Sequence, residues 1–212
     1  MTGTGERVGR VAAALSALTA WLGLALQFGL TLRLMTAEHA GVAAALWRFV
    51  GYFTILTNLG VAVVASVMAL APAARLAGPR VRLVTAASIA FVGIVFSVAL
   101  RSTWSPTGWQ AVANHALHDA SPLLFLLAWG LAAHGALKWR DSLWALVPPG
   151  AYCVYALVRG AADGWYAYWF LDPAKLGLGQ LCLSIAVLLA ALLVVAFALV
   201  AVDKWLGRRR AA

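Results

Sequence analysis

Six long apolar runs, separated by short polar or turn-rich links, leave this chain few folds to choose from. They cover residues 11–32, 49–70, 83–100, 111–137, 143–158 and 180–202. Most approach the roughly 20 residues that an α-helix needs to cross bilayer hydrocarbon, where only helices and closed barrels satisfy every backbone N–H and C=O. The chain therefore reads as all-α, an integral membrane bundle of six transmembrane helices in one domain, 11–202. A polar tail, 1–10, precedes it and a basic tail, 203–212, follows. The first run is too long for the core of a typical signal peptide and has no small-residue cleavage site. No internal repeat is evident.

Composition agrees. Of 212 residues 64% are hydrophobic and 11% charged, with a mean hydropathy of +0.89, outside the range of an ordinary soluble domain. The net charge of +9 does not indicate a nucleic-acid partner, because the basic residues stand in short clusters between apolar runs rather than on one face. Those clusters also orient the chain. Alternate links on the side of the termini hold Arg7, Arg10, Arg75, Arg80, Arg82, Lys138, Arg140, Lys204, Arg208, Arg209 and Arg210, and the other side only Arg33, Arg48, Arg101, Arg159 and Lys175. The positive-inside bias places both termini in the cytoplasm of a cell-membrane protein. Cys153 and Cys182 lack CxxC spacing and read as small core residues.

Polar residues inside the spans are the candidates for function. In Tyr52-Phe53-Thr54-Ile55-Leu56-Thr57-Asn58-Leu59 two hydroxyls and a carboxamide share one helix face at i, i+3 and i+4. Lipid offers them no partner, so that face should look inward. The fourth run carries Asn114-His115-Ala116-Leu117-His118-Asp119, and ionisable residues within a span are expensive and usually functional. Pro122 supplies no N–H for the carbonyl of His118, which loosens the helix at that imidazole. Asp119 stands one turn after His115 and pairs with it, pointing away from His118. Both helices run from outside to inside, so these groups fall in the outer half of the bilayer, and Arg101 and Arg159 close the third and fifth helices on that side. The bland alternatives are a Thr bonded to its own helix, an Asn tying helices together, and cations at helix C-termini that offset the dipole and snorkel to water. Trp165 and its neighbours in the fifth link serve either as an interfacial belt or as a substrate cage.

A hydroxyl becomes a nucleophile when a base lies within reach, and a neutral, partly desolvated imidazole is the usual base. Near a helix N-terminus the dipole favours a developing oxyanion, to which Asn58, Arg159 or a loose backbone N–H would donate. Acyl-ester cleavage by Thr and His is the chemistry this set allows. The alternative is a small-molecule or proton-coupled membrane transporter in which an intramembrane His such as His115, Asp119 and Arg159 form the relay, although inverted repeats are absent. His115, His118 and His134 occupy one apolar run with no imidazole opposite, which speaks against haem. Three adjacent ligands at most speak against zinc, and no metal or cofactor is expected.

Phe53-Thr54 with Asn58-Leu59, then Asn114-His115-x-x-His118, then Gly164-Trp165-Tyr166-x-Tyr168-x-Phe170-Leu171 resembles the androgen-induced membrane protein family across most of the bundle. The resemblance implies a multi-pass hydrolase for fatty acid esters of hydroxy fatty acids, with an amphiphilic lipid substrate and an intramembrane Thr nucleophile and His. By motif the nucleophile falls on Thr54 and the base on His118. Thr57-Asn58 departs from the shorter polar signature of the animal proteins, so Thr57 stays a rival nucleophile.

Overall fold

Alanine, serine and glycine at helical spacing decide how the helices meet. In the computed structural model, which describes residues 3–211, α1 (Gly3–Ala37) buries Ala12, Ala13, Ser16, Ala17, Ala20 and Gly23. These recur every three to four residues and form one stripe, and small side chains let backbones approach closely where lipid provides no drive to associate. Both α3 (Phe53–Leu70) and α6 (Ser121–Leu131) pack on α1, α3 burying Val61, Ala62, Ala65 and Ala69. Arg10 closes the far end of that contact by donating to the Ala69 carbonyl at 2.8 Å, one of the acceptors left open where a helix stops.

The described residues contain helices and no strand. A short helix, α2 (Val42–Phe49), precedes α3, and α4 (Pro79–Val95) packs against α3, α6 and α8 (Pro173–Ala211). α4 runs straight into a π-helical turn, Phe96–Leu100. A second π-turn, Ala116–Ala120, joins α5 (Gly108–His115) to α6 without a break in the helix. In such a turn each N–H reaches back five residues rather than four, as Ser121 does to the Ala116 carbonyl. Pro122 cannot bond the His118 carbonyl in the ordinary way, and the helix is wound wide at that point.

Four helical segments, Gly3–Ala37, Phe53–Leu70, Pro79–Leu100 and Pro173–Arg209, are long and apolar enough to cross a membrane. Large apolar side chains such as Leu70, Val98, Leu123, Val154 and Leu178 point outward, a surface suited to lipid rather than water.

Several boundaries differ from those the sequence suggests. α1 begins at Gly3, so most of the expected N-terminal tail is helical, and α8, which breaks after its first turn at Gly177 (φ 72°, ψ 161°), runs on through the basic residues expected to form a tail. α3 starts at Phe53 rather than residue 49, the intervening turn following α2. α6 ends at Leu131, not 137, because Ala132 adopts extended backbone (ψ 177°). His134 consequently lies beyond the helix that holds His115 and His118. Pro148 and Pro149 sit in the first turn of α7 (Val147–Asp163), where a missing N–H is harmless. Cys153 is half-buried and packs against the core, whereas Cys182, expected there too, is exposed.

The residues after α6 earn their irregular path through side chains. His134 Nδ1 meets Asp203 Oδ1 at 2.9 Å and its Nε2 meets the Gly130 carbonyl at 3.1 Å. The other Asp203 oxygen accepts the Leu137 N–H at 3.1 Å. Nearby, Asp141 accepts from Arg80 at 2.8 Å and from the Lys138 N–H at 2.8 Å; the latter bond, with the guanidinium's, holds this carboxyl below the usual carboxylate range. These contacts fasten the link after α6 to the end of α8, and the segment before α7 to the start of α4.

Candidate functional site

Thr54 is the second residue of α3, inside the first turn, and is 8% exposed. Its Oγ1 lies 3.3 Å from His118 Nε2. The other ring nitrogen, Nδ1, lies 3.1 Å from the main-chain carbonyl of Asn114, one turn earlier. A carbonyl only accepts, so Nδ1 carries the hydrogen and Nε2 presents a lone pair to the threonine hydroxyl. That tautomer is the one a general base requires.

Close packing fixes the imidazole. Phe96 stacks on it with centroids 4.1 Å apart and planes at 26°. Gly93 of α4 faces the turn so closely that a Cβ there would stand 3.3 Å from the His118 carbonyl oxygen and 3.4 Å from the Pro122 ring. Asn58, fully buried, donates to the Thr54 carbonyl at 2.8 Å and the Leu117 carbonyl at 3.1 Å. It ties the helix of the hydroxyl to the turn of the imidazole, and its amide hydrogens are not aimed at an oxyanion.

The remaining sequence candidates go elsewhere. Thr57 Oγ1 donates to the Phe53 and Thr54 carbonyls at 2.9 and 3.1 Å and lines a separate groove of about 320 Å³ between α3, α4 and α7. It does not meet a histidine. Asp119 bridges Arg101 and His115, whose Nδ1 is 2.7 Å away; all three sit at the rim, with His115 largely exposed. Arg159 is buried, donates to Asp163 at 3.3 Å and Tyr155 at 3.3 Å, and stacks over Trp47 and Trp165. It is a structural post for the 164–172 link, not a donor to the Thr54 site. Trp165 packs edge-on against Tyr52 with centroids 5.4 Å apart and carries Arg48 on its ring.

One residue of the site was not singled out from its spacing. The Tyr168 hydroxyl lies 3.4 Å from both the Thr54 N–H nitrogen and Thr54 Oγ1. Tyr168 (φ −131°, ψ 132°) is an extended residue leading into a 3-10 turn at Trp169–Leu171, so no single helical or strand period runs through 166–170 to show which ring faces inward.

Thr54, His118, Tyr152 and Tyr168 line a cavity of about 50 Å³ whose other walls are apolar, among them Phe91, Val95, Phe96, Leu171 and Leu188. Among the described residues no three His, Cys, Asp or Glu side chains are grouped to hold a metal ion. A hydroxyl facing a bare imidazole nitrogen in an apolar cavity is equipped for nucleophilic attack on a carbonyl carried by an apolar chain. No protein-family model, curated protein or solved structure matches the chain.

Proposed function

We propose that this chain is a cell-membrane hydrolase of lipid esters, crossing the bilayer six times with both termini in the cytoplasm, and related to the androgen-induced membrane proteins. The observation that carries this reading is the contact of Thr54 Oγ1 with the proton-free Nε2 of His118, 3.3 Å apart. Four segments span by length alone. The continuous helix of α5, the π-turn and α6, together with α7, supplies the other two crossings.

Catalysis then runs through an acyl-enzyme. Thr54 Oγ1 attacks the ester carbonyl carbon while its proton passes to His118 Nε2. The tetrahedral intermediate collapses, and the departing alkoxide takes that proton as the alcohol. Water repeats the attack on acyl-Thr54 with His118 again as base, releasing the carboxylic acid and restoring the hydroxyl. The apolar walls of the cavity surround the carbons next to the ester carbonyl. A proton carrier using His115, Asp119 and Arg159 finds less support, since Arg159 is bonded to Asp163 and shares no partner with the other two.

Labelling of purified protein by an alkyl fluorophosphonate tests the reading. Labelling is expected in the wild type and Thr57→Ala, and lost in Thr54→Ala and His118→Ala without change in gel-filtration profile. Equal labelling of all four proteins ends the proposal.

A further inference from the structure

We infer that Tyr168 and the main-chain N–H of Thr54 form the oxyanion hole of this site, which makes Tyr168 a catalytic residue; the inference rests on the ester-hydrolase reading. Attack on a carbonyl moves its π electrons onto oxygen, and that charge needs donors already in place. Thr54 N–H belongs to the first turn of α3, where no carbonyl one turn earlier can accept it. Its partner is the Tyr168 oxygen, 3.4 Å away. The same phenol is 3.4 Å from Thr54 Oγ1. The Thr54 N–H thus points at the phenol oxygen and the phenol lies against Thr54 Oγ1, so both donors stand beside the hydroxyl that attacks.

The resting hydrogen bonds show how the hole becomes free. Thr54 O–H is directed to His118, so in the Tyr168 contact the phenol donates and Thr54 Oγ1 accepts. Once Oγ1 commits an electron pair to the carbonyl carbon, the phenol O–H loses that acceptor. The new oxyanion stands two bonds from Oγ1, within a rotation of the phenol hydrogen. No proton is transferred from Tyr168; it only donates a hydrogen bond, which lapses when the carbonyl re-forms and the alkoxide leaves.

The other polar groups at hand are committed. The Tyr152 hydroxyl donates to the Gly51 carbonyl at 2.8 Å, the Asn58 amide holds two carbonyls, and Arg159 is engaged by Asp163. Tyr168 is also held still, as a preorganised donor must be. Its ring stacks on Phe170 with centroids 5.0 Å apart and planes at 6°, and meets Tyr52 and Tyr152 edge to face, each at 6.2 Å.

The test is Tyr168→Phe, which removes one hydroxyl and keeps the stack, assayed in detergent on p-nitrophenyl octanoate and its thionoester, whose sulfur accepts hydrogen bonds poorly. On the oxoester kcat is expected to fall about 10²–10³-fold, the magnitude for loss of one oxyanion donor, with KM little changed. The oxoester-to-thionoester rate ratio should fall with it, which a loss of packing alone does not produce. A Tyr168→Phe enzyme with wild-type kcat, beside inactive Thr54→Ala and His118→Ala, overturns the oxyanion assignment and leaves the hydrolase reading standing. A lowered kcat with an unchanged ratio overturns it equally. For a Tyr168→Phe protein that does not fold, 3,5-difluorotyrosine at position 168 retains the hydroxyl and alters its acidity, and an unshifted ratio counts against the assignment. A wild type that neither turns over the ester nor takes the fluorophosphonate removes both proposals together.

Discussion

Phe96 and His118 stack face to face, centroids 4.1 Å apart, and each belongs to one of the two π-helical turns among the described residues. Each turn adds a residue to its helix and re-aims the side chains beyond it. At the rim Arg101, which follows the first turn, pairs with Asp119 of the second, so the two turns are fastened by neighbouring contacts at His118 and Asp119. Phe96→Leu keeps an apolar wall but loses the aromatic contact, worth about 0.5–1.5 kcal/mol. The expected outcome is a small loss of thermal stability with a larger loss of fluorophosphonate labelling rate, because the freed imidazole no longer faces Thr54. Equal rates in mutant and wild type would show that the stack does not orient the ring.

Asn58 is the interhelical tie beneath the dyad. Asn58→Ala strands the buried Leu117 carbonyl, a change worth about 1–3 kcal/mol. Thermal unfolding in detergent should register it as a lowered midpoint, whereas Thr57→Ala, which removes only a bond within its own helix, should unfold near the wild-type temperature.

His134 and Asp203 have side chains only 1% and 3% exposed. Asp203→Ala leaves the His134 ring and the Leu137 N–H without their acceptor, and breaking one side of such a buried pair is expected to destabilise by about 3–5 kcal/mol. The double change His134→Leu with Asp203→Leu leaves no stranded charge and should recover much of that loss. Unfolding midpoints of the two variants compare them directly.

Asp163, at the end of α7, accepts the Trp165 N–H at 2.9 Å and the Trp47 indole N–H at 2.6 Å, and pairs with Arg159. The main-chain bond first, then the indole and guanidinium, hold its carboxyl below the usual range. A depressed folded-state value stabilises the protein fully above the ordinary Asp pKa of about 3.9, and that contribution disappears as pH falls through the depressed value. The stability gap between wild type and Asp163→Asn should therefore be widest near neutrality and close in acid. A gap that widens on acidification reverses the assignment.

Much of the architecture is written along the chain, because bilayer length and helical period are local properties. The apolar runs, the shared face of Thr54, Thr57 and Asn58, and the pairing of Asp119 with His115 one turn earlier all follow from spacing. Helix ends are less legible. α6 stops at Leu131 because His134 finds Asp203, 69 residues away in sequence, and no periodicity carries that partner.

Sequence by itself determined that this chain is helical and apolar and that hydroxyl and imidazole groups stand within its apolar runs. Tertiary structure alone decided which hydroxyl meets which nitrogen: Thr54 rather than Thr57, with Tyr168 brought in from a link 114 residues away, while Arg159 is taken by Asp163. The physical reason is that side-chain direction depends on helix rotation and on the π-turns. Helix rotation is set by which small residues let neighbouring helices touch, and the turn at His118 by Pro122, not by the spacing of the polar groups themselves.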